Sequence, residues 1–295
     1  MPPRSDRPYC GRFAPSPSGP LHAGSLFAAI ASYLDARANG GRWLIRIEDI
    51  DPPREQPGAD RLILNSLAAH GLEHDGDVLY QSSRLNAYQK ALDALLHDRA
   101  AYFCSCSRRD FSAADGRHSS ICPHSSEPHD DSGLSVRARF HGPHTYRFAD
   151  RYQGPQTFEY PSPADDFILR RRDGLFAYQL AVVVDDEFQQ ITDVVRGIDL
   201  LDSTPRQIWL QQRLHLAPLN YSHVPVLVDE EGNKLSKQQQ APAINDANAM
   251  QNVLMCLQQL GFPPPPDDLS LAALLNWAVE RWLLITPISK TSIPA

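Results

Sequence analysis

The chain has 295 residues, 42% of them hydrophobic, and a formal net charge of −7. That length can bury one large core or two modest ones, and no run of about 18 apolar residues offers a membrane span. The acidic balance argues against a sequence-independent coat for nucleic acid, which is normally basic, while leaving room for a local basic face.

The first residues, MPPRSDRPYC, lack the apolar centre of a secretory signal, so the expected compartment is the cytoplasm. Tyr9 to Ala14 read as a short strand. From His22 to Ala38 the positions Leu26, Ile30, Tyr33 and Leu34 recur at helical spacing, and Asn39–Gly40–Gly41 stops the helix. RWLIRIED, from Arg42 to Asp49, alternates like a strand. Residues 58–71 and 83–100 read as helices. LAVVVDDEF and ITDVVRGIDLL are β-branched and strand-like. STPRQIWLQQRLHL opens a helix, with Thr204 as N-cap, Pro205 in the first turn and Gln207 three residues after the cap. Strands alternating with helices predict an α/β fold with a mainly parallel sheet. Residues 104–160, rich in His, Ser, Pro and Asp, read as an insertion with little core of its own. The expected units are 1–103 and 161–242 for the two halves of the α/β domain, 104–160 for the insertion, and 243–295 for a helical C-terminal part.

Five cysteines are present, an odd number that does not suggest a disulfide framework. Cys10 and Cys256 stand alone among apolar neighbours and read as core residues. The other three cluster as Cys104-x-Cys106 and His118-x3-Cys122. Three thiolates and one imidazole suit tetrahedral zinc, with His124 as a rival fourth ligand and reduced, metal-free cysteines as the plain alternative. LRRRDG, from Leu169 to Gly174, is the densest basic run; it reads equally as a phosphate contact or a solvated hairpin.

Two stretches carry the chemistry. GRFAPSPSGPLHAGS, from Gly11 to Ser25, places a small-residue loop between a strand and a helix N-terminus. Free backbone N–H groups and the positive end of a helix dipole make such a place an anion site. There His22 can donate to a phosphoryl oxygen, and Gly24 and Ser25 let a ligand approach the backbone. The alternative is a proline-stiffened cap with His22 satisfied locally. VLVDEEGNKLSKQ, from Val226 to Gln238, runs from an apolar strand into a turn with Lys234 and Lys237. Such lysines can close over phosphates and neutralise developing charge, or simply decorate a charged surface turn.

Together the two stretches resemble the class I aminoacyl-tRNA synthetases. HAGS, His22 to Ser25, is similar to their HIGH motif, and KLSKQ, Lys234 to Gln238, to their KMSKS motif, departing from it at Leu235 and Gln238. RFAPSPSGPLHAGS resembles the start of bacterial glutamyl-tRNA synthetases. RIEDIDPPR (Arg46 to Arg54), FAYQLAVVVDD (Phe176 to Asp186) and ITDVVRGIDLLDSTPRQ (Ile191 to Gln207) extend the likeness over roughly residues 8–240. The resemblance implies a Rossmann-like catalytic domain with a zinc-binding insertion and a short helical C-terminal part. Only residues 243–295 follow the lysine loop, too few for an anticodon-reading domain of the glutamyl type. The chain therefore resembles the truncated paralogue family that modifies tRNA(Asp).

That resemblance implies ATP-dependent activation of L-glutamate to glutamyl-adenylate. Transfer to the queuosine base in the anticodon loop of tRNA(Asp) would follow, by a monomer with no membrane partner. It implies glutamate contacts at Arg12, Phe13, Ala14, Pro15, Ser16, Glu48, Tyr178 and Arg196. Two arginines suit two carboxylates, Glu48 suits the ammonium, and which arginine takes which carboxylate stays open. It implies ATP contacts at Pro15, His22, Gly24, Ser25, Lys234 and Lys237, with His22, Lys234 and Lys237 catalytic and Mg²⁺ accompanying the ATP. It implies structural zinc on Cys104, Cys106, His118 and Cys122, where the family usually has tyrosine in place of His118. The competing readings are a glutamyl-tRNA synthetase charging a tRNA 3′ end and a catalytically inactive regulatory paralogue.

Overall fold

The structure, a computed structural model, describes residues 7–106, 125–126, 133–140, 144–160, 166–228, 242–285 and 291–294. Strand β1 (Cys10–Phe13) leads through the proline–serine loop to helix α1 (Ala23–Ala38), which returns the chain to β2 (Arg42–Ile47), paired parallel to β1 with Arg12 opposite Leu44. The predicted stop of α1 is a Schellman closure: Gly40 N–H donates to Arg37 O and Gly41 N–H to Ala36 O, with Gly40 at φ +63°. Gly41 also passes so close to Tyr9 that a Cβ would lie 2.6 Å from its carbonyl oxygen. Leu26, Phe27, Ile30 and Leu34 of α1 are buried in the larger core, and each such side chain contributes about 1.5–3 kcal/mol on burial.

Helix α2 (Ala59–Ala69) and the short β3 (Leu79–Tyr80) extend the sheet, since β3 pairs parallel to β2. A 3₁₀ turn at Gln81–Arg84 feeds α3 (Leu85–His97). Strands β4 (Ala101–Cys104), β5 (Ser125–Ser126), β6 (Ser135–Ala138) and β9 (Ile168–Arg170) form an antiparallel sheet in the order β5-β4-β6-β9. Between β6 and β9, the hairpin of β7 (His144–Asp150) and β8 (Gly154–Tyr160) joins a different sheet.

The expected insertion thus shares a core with the rest of the chain. Val136, Ala138, Phe140 and Tyr146 pack with Tyr88, Leu92 and Trp209 of the flanking helices, and Phe140 meets Trp209 edge-on at 5.8 Å.

The segment LAVVVDDEF, expected as a strand, is instead part of helix α4 (Tyr178–Phe188). Its β-branched residues look strand-like in isolation, but they are buried in the second core, where packing overrides propensity. Gln190, at φ +56°, closes the helix: Gln190 N–H donates to Glu187 O and Ile191 N–H to Asp186 O. ITDVVRGIDLL yields only β10 (Asp193–Gly197) before a 3₁₀ turn at Ile198–Ser203, which runs directly into α5 (Thr204–Arg213). Thr204 is therefore not an N-cap. It is the first residue of α5, and no side chain caps that end.

Strand β11 (Asn220–Val224) pairs parallel to β10, with Arg196 opposite His223, and meets the end of β7 at Tyr221–Asp150. β1 lies beside β10, where Thr192 N–H donates to Cys10 O at 2.9 Å. Two parallel runs, β3-β2-β1 and β10-β11, therefore lie side by side, and chain order reverses where β1 meets β10. Open α/β sheets bind ligands outside the carboxyl ends of strands at such a reversal.

Helices α6 (Ala249–Gln259) and α7 (Leu271–Trp282) pack onto the first core, where Trp282 Nε1 donates to Asp35 of α1 at 2.7 Å. Cys10 and Cys256 are buried, as their apolar neighbours predict. β12 (Val226–Val228) pairs parallel to a C-terminal strand, β13 (Ser292–Pro294), that the sequence did not suggest. Among the described residues no helix is long and apolar enough to cross a membrane.

Candidate active site

Arg12 is the penultimate residue of β1 and Arg196 that of β10, one on each side of the reversal. Arg12 is 4% exposed, and its Nε donates to Asp186 Oδ1 of α4 at 3.1 Å. No described residue hydrogen-bonds its two terminal nitrogens. Arg46 of β2, fully buried, donates from Nη1 to the same Asp186 oxygen at 2.8 Å and to Gln189 Oε1 at 2.9 Å. Its Nη2 reaches Glu48 Oε1 at 3.5 Å. Burial pushes the Asp186 carboxyl up, but Arg12 and Arg46 outweigh it and hold it below the usual range. Glu48 goes the other way, because burial outweighs Arg46 and Arg12 and its carboxyl is raised. A half-buried carboxylate held only by a 3.5 Å contact has capacity left for a cation.

Arg196 is held differently. Its Nε donates to His223 Nε2 at 3.0 Å, Nη1 to Gln207 Oε1 at 2.8 Å, and Nη2 to Thr204 Oγ1 at 2.8 Å and Leu200 O at 3.3 Å. Nη1 to the Tyr178 hydroxyl is the longest of these contacts, at 3.4 Å. Thr204 and Gln207, expected to cap α5, both accept from this arginine instead, which is why the helix end goes without them. Burial raises the Tyr178 hydroxyl, and Arg196, Glu48 and Arg12 all act on it. Those four expected glutamate contacts therefore surround one buried place, with Arg12 offering a free fork and Arg196 an edge.

The loop between β1 and α1 closes this place on one side. Glu48 N–H donates to Pro15 O at 3.0 Å and Gln56 N–H to Pro17 O at 2.9 Å, fastening the loop to the chain after β2. Phe13 and Pro15 are buried, Ala14 is half-buried, and Ser16 is exposed.

His22 is the N-cap of α1. Its Nδ1 accepts the Ser25 N–H at 3.2 Å, and its Nε2 lies 2.8 Å from Ser25 Oγ. An accepting Nδ1 places the proton on Nε2. The first turn of α1 holds no acidic side chain, so the dipole there is not neutralised from within. His22 is thus satisfied locally, and it also stands at an anion-ready helix end with Gly24 and Ser25. Leu21 and His22 pair with the chain at Ala243 and Ile244, where Ile244 N–H donates to Leu21 O at 3.0 Å. Lys234 and Lys237 lie outside the described residues, between Val228 and this tether. A cavity of about 360 Å³, walled by Pro17, Ile47, Asp49, Glu55, Asp60 and Tyr80 among others, contains none of the residues expected to hold glutamate or ATP.

Two of the four expected zinc ligands are described. Cys104 and Cys106 are buried, and Cys106 N–H donates to Cys104 Sγ at 3.4 Å. His118, Cys122 and the rival His124 lie outside the described residues, among which no group of three His, Cys, Asp or Glu could hold a metal. In the basic run, Arg172 donates to Cys106 O at 2.7 Å and to Ser105 O, while Arg171, 44% exposed, pairs with Asp51 at 3.2 Å and Asp173 at 2.6 Å.

Asp186, Arg46, Gln207, Thr204, His223 and Asp150 were not expected as site residues. Asp186 and Arg46 lie in segments that carry the family resemblance, but only the helical form of α4 aims Asp186 at Arg12.

The sheet order, the two strand-end arginines and the histidine at the α1 N-terminus define a class I tRNA synthetase catalytic domain. Residues 10–263 match the family described as tRNA synthetases class I (E and Q), catalytic domain. The chain belongs to that family, and within it to the glutamyl-Q tRNA(Asp) synthetases. It is 47% identical to the glutamyl-Q tRNA(Asp) synthetase of Pseudomonas fluorescens over 93% of this chain and 92% of that one. It is 46% identical to that of Photobacterium profundum, over 95% and 90%.

A glutamate tRNA ligase from Elizabethkingia meningosepticum, solved in complex with its amino acid, superposes with a TM-score of 0.71 at 26% identity. The match covers 79% of this chain and 52% of that structure, so this chain spans about half its length. The glutamate-tRNA synthetase of Elizabethkingia anophelis shares the fold, with a TM-score of 0.78 at 22% identity over 91% of this chain and 65% of that one.

Proposed function

We propose that this chain activates L-glutamate with ATP and transfers the glutamyl group to the queuosine base at the wobble position of tRNA(Asp). The observation that carries the reading is the pairing of Arg12, whose terminal nitrogens no described residue hydrogen-bonds, with Glu48, a half-buried carboxylate whose one described side-chain partner, Arg46, stands at 3.5 Å. Arg12 then grips one substrate carboxylate in a bidentate way, Arg196 and Tyr178 meet the other, and Glu48 takes the ammonium. Phe13, Ala14, Pro15 and Ser16 supply the wall and backbone around them. The family membership supports both the amino acid and the acceptor.

A glutamate α-carboxylate oxygen attacks the α-phosphorus of ATP, the bond to the bridging oxygen breaks, and pyrophosphate leaves. An acceptor hydroxyl then attacks the carbonyl carbon and AMP leaves. Positioning and charge stabilisation suffice for the first step. His22 serves the triphosphate by turning its Nε2–H from the Ser25 hydroxyl to a phosphoryl oxygen, beside the backbone of Pro15, Gly24 and Ser25. Lys234 and Lys237 neutralise the charge that develops on the leaving pyrophosphate. Mg²⁺ comes with the ATP, bound by phosphate oxygens and water.

The buried Cys104 and Cys106 fit a structural zinc site completed by His118 and Cys122. An N–H donated to Cys104 Sγ is the kind of neighbour that steadies a metal-bound thiolate. Metal analysis of the purified protein tests this, and a zinc-free, fully folded chain would count against it. A site of action in the cytoplasm, where tRNA is found, belongs to the same reading.

The test is transfer of labelled glutamate to tRNA(Asp) with and without queuosine, followed by periodate. Label should appear only with queuosine, and the capped diol should resist oxidation. Label on the 3′ adenosine instead would favour an enzyme that charges tRNA ends, and no pyrophosphate exchange at all would favour an inactive paralogue.

A further inference from the structure

Three strands of one sheet place Asp150, His223 and Arg196 in a row. Asp150 ends β7, His223 lies on β11 next to it, and Arg196 sits opposite His223 on β10. All three are buried, and His223 is fully so. His223 Nδ1 is 2.6 Å from Asp150 Oδ2, and His223 Nε2 is 3.0 Å from Arg196 Nε.

The chemistry of the two ends fixes the middle. An arginine Nε–H can only donate, so His223 Nε2 must accept, which puts the imidazole proton on Nδ1, donated to Asp150. A protonated imidazole would set a second donor against the Arg196 N–H. Burial and Arg196 both push the His223 pKa down, outweighing Asp150. Asp150 is itself fixed, because its Oδ1 accepts backbone N–H groups of Tyr152 at 3.0 Å, Gln153 at 2.9 Å and His223 at 3.2 Å. Burial raises the Asp150 carboxyl, but the His223 hydrogen bond and these neighbours outweigh it and hold it low.

We propose that Asp150 and His223 are positioning residues for substrate carboxylate binding, holding the Arg196 guanidinium in the one orientation that leaves its Nη1 edge beside Tyr178. The backbone-held carboxylate fixes the imidazole, the imidazole fixes Nε, and Thr204 and Gln207 fix the other two nitrogens. Neither Asp150 nor His223 touches the substrate. The proposal rests on the reading of Arg196 as a glutamate contact.

Glutamate-dependent ATP–pyrophosphate exchange tests it, with KM measured separately for glutamate and ATP. His223→Phe keeps a flat ring but leaves Arg196 Nε without an acceptor. It should raise the glutamate KM at least about tenfold with the ATP KM within about twofold. His223→Gln, whose amide oxygen can stand near the Nε2 position, should recover most of the loss. Should His223→Phe fail to fold, Asp150→Asn carries the test, with an expected rise of severalfold in the glutamate KM alone. A wild-type glutamate KM in a folded variant, or an equal rise for glutamate and ATP, overturns the proposal. Wild-type protein that shows no glutamate-dependent exchange would instead overturn the functional reading beneath it.

Discussion

Asp186 holds Arg12 through one contact, Nε to Oδ1 at 3.1 Å, and so steadies the guanidinium without occupying the ends of its fork. A bidentate pair would have been stronger for the fold but would have closed the arginine to a ligand. The second partner of that oxygen, Arg46 at 2.8 Å, supplies the compensation that a buried carboxylate needs.

Asp186→Asn keeps the shape and removes the charge that both arginines face. Breaking one side of a buried ion pair costs about 3–5 kcal/mol, here divided between stability and the aim of Arg12. The expected outcome is a lower melting temperature together with a glutamate KM raised at least about tenfold, while the ATP KM moves little. Pyrophosphate exchange at varied glutamate and then varied ATP checks it. A variant with a lower melting temperature and an unchanged glutamate KM would make Asp186 purely structural.

Thr204 separates a capping role from a site role. A hydrogen bond to a charged group contributes about 1.5–3 kcal/mol, and the Thr204 hydroxyl receives one from Arg196 at 2.8 Å. Thr204→Val, which keeps the volume, should raise the glutamate KM about tenfold or more with helical circular dichroism unchanged. Thr204→Ser should stay close to wild type. Loss of helix signal with a normal glutamate KM would restore the capping role.

Thr204 also shows where the sequence stops being legible. The loop from Arg12 to Ser25 and the strand just before Glu48 were readable because strand, loop and helix N-terminus are adjacent in the chain. The row through Arg196 was not. His223 is 27 residues from Arg196 and 73 from Asp150, and only the pairing of β10, β11 and β7 makes them neighbours. Thr204-x-x-Gln207 carries a local capping pattern that a buried arginine overrides. Asp186 was hidden by β-branched neighbours that favour a strand on their own and become helix where they pack into the second core. The one available signal for His223 was a histidine inside the apolar run YSHVPVLV, which must find partners once buried.

Asp166 supplies a pH dependence. Burial raises its carboxyl to about 6, against the Tyr102 hydroxyl that donates to it at 2.8 Å. The folded state thus holds this proton more tightly than the unfolded chain, whose aspartate titrates near about 3.9. Stability from this group is fully present below about pH 3.9 and is lost as pH rises through about 6. Asp166→Asn stays neutral throughout. The difference in melting temperature, variant minus wild type, should therefore move in the variant's favour between about pH 4 and pH 7. A difference that is flat across that range would contradict the raised value.

Lys234 and Lys237 lie in the stretch of chain between β12 and Ala243. Before them β12 is paired to β13, and after them Ala243 and Ile244 are bonded to His22 and Leu21. A segment tethered beside the α1 N-terminus can place a lysine on a triphosphate bound there, and an ammonium in such a place neutralises charge as pyrophosphate departs. Lys237→Ala should lower glutamate-dependent pyrophosphate exchange at least about tenfold through the rate, with a smaller change in the glutamate KM. Asp186→Asn and Thr204→Val act in the opposite sense, on the glutamate KM. If Lys237→Ala also acted only through the glutamate KM, the loop would belong to the amino-acid pocket, and charge neutralisation at the phosphates would have to come from the α1 N-terminus and His22 alone.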